Sequence, residues 1–211
     1  QKLRSSAASE PRFPAVSTSV LNEESRKGTT KLRPLGFEHE SAKDERIHRA
    51  LGSAEAMEHD GVLGRYAIGG AMGATFYVEP LLTFDLDIFV LLPGTAGGLL
   101  TLAPLYEALR AQGFVEEDEC VNIEGVPVQF LPAYNALVEE ALSEARETLY
   151  EQTPTRVLRP EHLLAIALQT GRDKDRQRVR LLLEQAPLDH DYLSAVLARH
   201  GLETQWKQWK P

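Results

Sequence analysis

The segment Thr83-Phe84-Asp85-Leu86-Asp87-Ile88-Phe89-Val90-Leu91-Leu92 constrains the fold more than any other stretch of the chain. Its aromatic, leucine and β-branched residues favour a strand, and Pro93-Gly94 closes it. Side chains alternate between faces along a strand. Leu86, Ile88 and Val90 therefore share an apolar face, and Asp85 and Asp87 share the opposite one. Aspartate is a poor strand former. Two neighbouring carboxylates repel each other unless a cation lies between them, and a divalent cation is the usual solution. The pair reads as a metal platform, with Asp85 and Asp87 as ligands on a strand whose other face is buried.

A second feature lies just upstream. Arg65 to Ile68 reads as a short strand, Gly69-Gly70 as a turn, and Ala71 to Val78 as a helix broken by Glu79-Pro80. A glycine pair between strand and helix lets backbone N–H groups approach a phosphate. By itself such a pair is only a tight turn. Its position gives it weight, because 14 residues separate Gly70 from Asp85. A phosphate-binding turn beside a metal-binding strand is suited to moving a nucleotidyl group.

Periodicity along the rest of the chain gives an α+β organisation. Residues 1–40 are rich in Ser, Thr, Pro and Arg with no apolar period, and read as a disordered tail. An α/β core spans 45–133. It has a helix over 44–57, strands within 65–68, 83–92, 114–115, 121–123 and 126–131, and a helix over 99–112. Residues 134–211 read as almost wholly helical, over 134–149, 160–170, 173–185, 189–199 and 202–209. The predicted fold is a mixed sheet with flanking helices followed by a helical C-terminal half. With 43% apolar and 26% charged residues, the 211-residue chain can bury such a core. No apolar run reaches the roughly 20 residues of a membrane span. The single cysteine, Cys120, excludes an internal disulfide and a cysteine-based zinc site, and fits a cytoplasmic protein.

These residues resemble a known family. Gly-Gly, a helix, then Thr83-x-Asp85-Leu86-Asp87-Ile88 is similar to the DNA polymerase β-type nucleotidyltransferase superfamily. The likeness is nearer to small prokaryotic members, including those of abortive-infection and toxin–antitoxin systems. Gly171-Arg172-Asp173-Lys174-Asp175-Arg176 resembles the Gly-Arg-x-Lys-Asp segment of their helical half. The resemblance covers roughly residues 50–200. It implies transfer of NMP from an NTP to a hydroxyl, with Mg²⁺ or Mn²⁺ on Asp85 and Asp87. Gly69, Gly70, Thr83, Arg172 and Lys174 would bind the nucleotide. RNA, tRNA above all, or protein would be the acceptor, with a small molecule such as an aminoglycoside as a sub-case, and an antitoxin a possible partner. The superfamily usually supplies a third carboxylate from a neighbouring strand, and the matching position here is Gln129. Glutamine can orient a hydroxyl but cannot take its proton. Glu124 would substitute if it points inward; otherwise the chemistry is slow, or the chain is a non-catalytic relative that binds nucleotide or a partner.

Charge is unevenly distributed. The net charge of −8 argues against non-specific attraction to nucleic acid. Residues 156–180 nevertheless carry seven basic side chains against three acidic ones. Arg172, Arg176 and Arg180 recur every four residues and so share a helix face, with Lys174 and Arg178 on another. Beside an acidic metal site this patch suits a triphosphate or an RNA backbone. The six histidines show no metal spacing, and Trp206 and Trp209 read as a terminal helix packing back on the core.

Overall fold

The computed structural model describes residues 41–79, 81, 83, 85–93 and 101–209. The tail expected over residues 1–40 lies outside them.

Helix α1 (Ser41–His59) leads into β1 (Arg65–Ile68), then the short α2 (Gly70–Ala74) and β2 (Leu86–Leu91). Next come α3 (Ala103–Ala111), β3 (Val115–Glu117), β4 (Cys120–Ile123), β5 (Val126–Pro132) and α4 (Ala136–Ser143). A hairpin of β6 (Arg146–Tyr150) and β7 (Thr153–Val157) precedes four helices: α5 (Pro160–Thr170), α6 (Asp173–Gln185), α7 (His190–Arg199) and α8 (Glu203–Trp209). All seven strands form one mixed sheet in the order β3-β4-β5-β2-β1-β7-β6. β2 runs antiparallel to β1 and parallel to β5, with Asp87 directly beside Gln129.

The helical reading of 134–149 is corrected by β6 and β7. Helix ends at Ser143, and the chain returns to the sheet beside β1. The hairpin alternates as a strand pair should, with Thr148, Tyr150, Thr153, Thr155 and Val157 turned inward. Three of these buried positions are threonine, so the apolar period of two is masked in the sequence. The sheet therefore continues past residue 133, the expected end of the α/β core. Two side chains tie α1 to this hairpin: the Tyr150 hydroxyl donates to Asp44 at 2.7 Å, and Arg156 makes a forked pair with Glu58 at 2.7 and 3.0 Å.

The strand expected from Thr83 begins at Leu86. The Thr83 hydroxyl donates to the Asp85 carbonyl at 3.1 Å and to its carboxylate at 2.9 Å, and this local bond replaces sheet pairing. Leu86, Ile88 and Val90 are fully buried, as the alternation predicts. The helix expected over 71–78 is shorter, ending in turns after Ala74.

Helix α5 is the hub of the C-terminal half. It is buried from Pro160 to Leu168, and α2, α4, α6, α7 and α8 pack against it. It ends at Gly171, whose φ of +76° is left-handed and suits glycine. The reversal there starts α6 after a single residue, Arg172.

Candidate nucleotide and metal site

A cavity of about 460 Å³ opens between the sheet and the helical half. Its floor is Asp85, Asp87 and Phe89 with Gln129 and Leu131 from the adjoining strand. Gly70 and Ala71 close one side. Leu163, Ile166 and Ala167 of α5 form an apolar wall, and Tyr134, 54% exposed, stands at the rim. Arg172, Lys174, Asp175 and Arg178 of α6 complete the enclosure.

The sequence-expected residues Gly70, Thr83, Asp85, Asp87, Gln129, Arg172 and Lys174 all line this one space. Gly69 does not. Its N–H donates to the Asp87 carbonyl at 2.9 Å, so it fixes the turn. A Cβ on Gly69 would run into the Phe89 ring, and one on Gly70 would overlap the Asp87 carboxylate. Gly70 also has a φ of +57°. The turn is therefore built to let the Asp87 carboxylate lie directly against backbone.

The electrostatics are those of an anion pair facing cations. Burial raises the Asp87 pKa, and Asp85 raises it further; Arg178, Lys174 and Arg172 pull the other way. Three cations thus face the paired carboxylates across the cavity. Two are held by Asp175, which is fully buried. Arg172 Nε donates to it at 2.8 Å, Arg178 donates at 3.1 Å, and the Arg172 backbone N–H donates at 3.3 Å to cap the helix. Arg178 Nε is buried with no partner among the described residues. The expected face of Arg172, Arg176 and Arg180 is divided, because Arg176 instead lies over the Trp209 ring at 4.7 Å. Trp206 and Trp209 pack against the core, as expected of a terminal helix.

Gln129 is where sequence reasoning was incomplete. Glu124 does not point inward. It sits in the β4–β5 turn, 3.8 Å from Arg49. At the other end of β4, Glu119 accepts a hydrogen bond from Gln129 Nε2 at 3.3 Å. Glu119 belongs to the acidic run Glu116–Glu119, which was not singled out in the sequence and whose first two residues lie in β3. Cys120 beside it reports the local field: burial raises its thiol pKa first, and Asp85, Asp87, Glu119 and Asp118 each add to the rise. Tyr134 and Arg178 were also missed as site residues; one comes after a strand in an unremarkable loop, and the other reads as one more cation on a basic helix.

No protein-family model and no curated protein matches the sequence. Solved structures do. The solution structure of the antibiotic-resistance factor ANT(2'')-Ia aligns at a TM-score of 0.50 and 16% identity, over 81% of this chain and 97% of that one. The chain is similar in fold to that protein. A crystal structure of ANT(2'')-Ia with adenylyl-2''-tobramycin gives 0.49 and 17%, over 78% of this chain and 98% of that one. An antigenic nucleotidyltransferase-like protein from Paracoccidioides brasiliensis gives 0.47 and 14%, over 77% and 93%. The expected mixed sheet with trailing helices is therefore found. No described helix is long and apolar enough to cross a membrane.

Proposed function

We propose that the chain transfers NMP from an NTP to a hydroxyl acceptor, releasing pyrophosphate, in a reaction that depends on Mg²⁺ or Mn²⁺. The observation that carries this reading is the facing of Asp85 and Asp87 by Arg172, Lys174 and Arg178 across one cavity. Carboxylates and cations lining one cavity suit a metal-bound triphosphate, with metal at one end and phosphate charge at the other.

The residues fit such a group. Among the described residues no cluster of three or more His, Cys, Asp or Glu could hold a metal. Asp85 and Asp87 therefore offer two carboxylates. That suits Mg²⁺, which commonly takes one or two carboxylates and completes its shell with substrate phosphates and water. Gly70, without a side chain, leaves room for a charged ligand against backbone. The unpartnered Arg178 Nε is a donor in the same wall.

When bound, the metal polarises the phosphate under attack and favours the ionised hydroxyl. The protein's own residues position the rest. Thr83 fixes the Asp85 side chain. Asp175 holds Arg172 and Arg178 rigid, so the cations are set before substrate arrives. Lys174, which no ion pair engages among the described residues, meets the triphosphate and the departing pyrophosphate. The α5 wall and Tyr134 give the base and sugar an apolar surface.

RNA, tRNA above all, or a protein hydroxyl is the proposed acceptor. A toxin-type role would add an antitoxin partner. A second reading rests on Gln129: a nucleotide-binding or partner-binding relative without turnover.

Label transfer tests the proposal. Purified protein is incubated with each α-³²P NTP, Mg²⁺, and total RNA, soluble protein extract or tobramycin. Label on one acceptor, lost in Asp85→Ala/Asp87→Ala, supports transfer and identifies the acceptor class. Metal-dependent nucleotide binding without transfer favours the second reading. Absence of both removes the nucleotidyltransferase reading.

A further inference from the structure

A hydroxyl that attacks phosphorus must give up its proton. Within the cavity, Asp85 and Asp87 would hold the cation, Asp175 is taken up by Arg172 and Arg178, and the Gln129 carboxamide cannot accept a proton at neutral pH. The next carboxylate across the sheet lies one side chain further on. Asp87 on β2 is the direct neighbour of Gln129 on β5. β5 is paired on its other edge with β4, through Val128 opposite Val121. Glu119 precedes β4 and receives the Gln129 amide hydrogen at 3.3 Å. Continuing that register puts Cys120, the first residue of β4, opposite Gln129, and Glu119, one residue before it, reaches Gln129 diagonally.

Three neighbouring carboxylates are engaged elsewhere, and Asp118 has no contact with Gln129 among those of the described residues. Glu116 lies 3.4 Å from Arg110, Glu117 accepts from Asn122 at 3.5 Å, and Glu124 faces Arg49. Glu119 has Gln129 on one oxygen, is exposed, and shares the field of Asp85 and Asp87 at Cys120. Its approach comes from the strand hairpin, on the side of Gln129 away from Asp87.

We propose that Glu119 is the general base of the transfer reaction and that Gln129 is the positioning residue that holds it. The inference rests on the transfer reading above. The acceptor oxygen forms a bond to the α-phosphorus as the bond from that phosphorus to the bridging oxygen breaks. Pyrophosphate leaves with that electron pair. The hydroxyl proton passes to the Glu119 carboxylate and from there to water. The replacement of a carboxylate by Gln129 therefore does not disarm the site; it relays the carboxylate from β5 to the start of β4.

The test is an exchange of the two side chains. Single-turnover transfer of α-³²P label is measured for the parent chain, Glu119→Gln, Gln129→Glu and Glu119→Gln/Gln129→Glu. The acceptors are total RNA, soluble protein extract and tobramycin. Binding of a fluorescent ATP analogue in Mg²⁺ is measured alongside. Glu119→Gln is expected to slow transfer by about 10²-fold or more, the usual worth of a positioned base, with nucleotide affinity unchanged. The exchanged pair keeps a donor facing an acceptor and returns a carboxylate to the site, so most of the rate is expected back. A purely structural Glu119 would lose little rate in Glu119→Gln, because the carboxamide oxygen can still accept the Gln129 hydrogen bond. Full activity in Glu119→Gln, or no gain in the exchanged pair, overturns the proposal. So does a parent chain that binds nucleotide yet transfers to none of the acceptors, which leaves the binding reading standing. Loss of Mg²⁺-dependent nucleotide binding in the parent chain overturns the transfer reading itself.

Discussion

The carboxylate of Asp87 occupies the space that a Cβ on Gly70 would fill. Strand β2 and the turn after β1 are thereby interlocked, so neither can change alone. Gly70→Ala places a methyl group against that carboxylate at a φ of +57°. The cost is about 2 kcal/mol, combining left-handed backbone strain and displacement of Asp87. At this chain length that lowers Tm by roughly 4–8 °C. Calorimetry is expected to show this drop together with loss of metal-dependent nucleotide binding.

Asp87 also illustrates a conflict between stability and function. Without a bound cation, its ionised carboxylate is desolvated and lies near Asp85. The neutral isostere removes that cost. In EDTA, Asp87→Asn is expected to raise Tm by roughly 2–4 °C, corresponding to about 1 kcal/mol. In Mg²⁺ with ATP the order reverses, because the parent chain alone gains ligand stabilisation. Paired melting curves in the two buffers check both halves.

Tyr134 presents a half-exposed ring opposite the apolar α5 wall. Stacking on an aromatic ring is worth about 1–3 kcal/mol per base. Tyr134→Ala is expected to weaken ATP binding by roughly tenfold, and Tyr134→Phe to keep it. Because every base has a stacking face, the four NTPs are expected to lose affinity alike. Fluorescence titration with each nucleotide measures this directly.

Away from the cavity, Glu140 ties three helices together. It receives Arg199 at 2.5 Å, His200 at 2.8 Å and His162 at 3.3 Å. The Arg199 hydrogen bond is the main reason its pKa falls to about 2, with His200 and His162 adding to it. A depressed acid stabilises the fold above its unfolded pKa and loses that contribution as pH falls through the folded one. Glu140→Gln is therefore expected to be less stable near pH 7 by about 1–2 kcal/mol. The gap to the parent chain should close as pH falls from about 4.5 towards 2. Urea titrations across that range measure it.

The site was legible in the sequence where chemistry and periodicity coincide. Asp85 and Asp87 stand out because charge is costly in so apolar a strand. Gly69-Gly70 stands out because that strand lies only one short helix downstream. Arg172 and Lys174 were legible as a motif, but not as one wall of the same cavity. Glu119 was hidden, since an exposed acid in a turn looks like any other until β4 is laid beside β5. The hairpin Arg146–Val157 was hidden for a different reason: its inward positions are largely threonine, so hydrophobicity does not mark the alternation. The limits of β2 were blurred by Thr83, whose hydroxyl bond to Asp85 is a local preference that strand propensity does not describe.

The most direct test of the central claim is calorimetric titration of ATP into the parent chain and into Asp85→Asn/Asp87→Asn, each in Mg²⁺ and in EDTA. The account predicts binding by the parent chain in Mg²⁺, little in EDTA, and none of the metal-dependent increment in the folded double variant. Equal binding in both buffers, or a double variant that binds as the parent does, would contradict it.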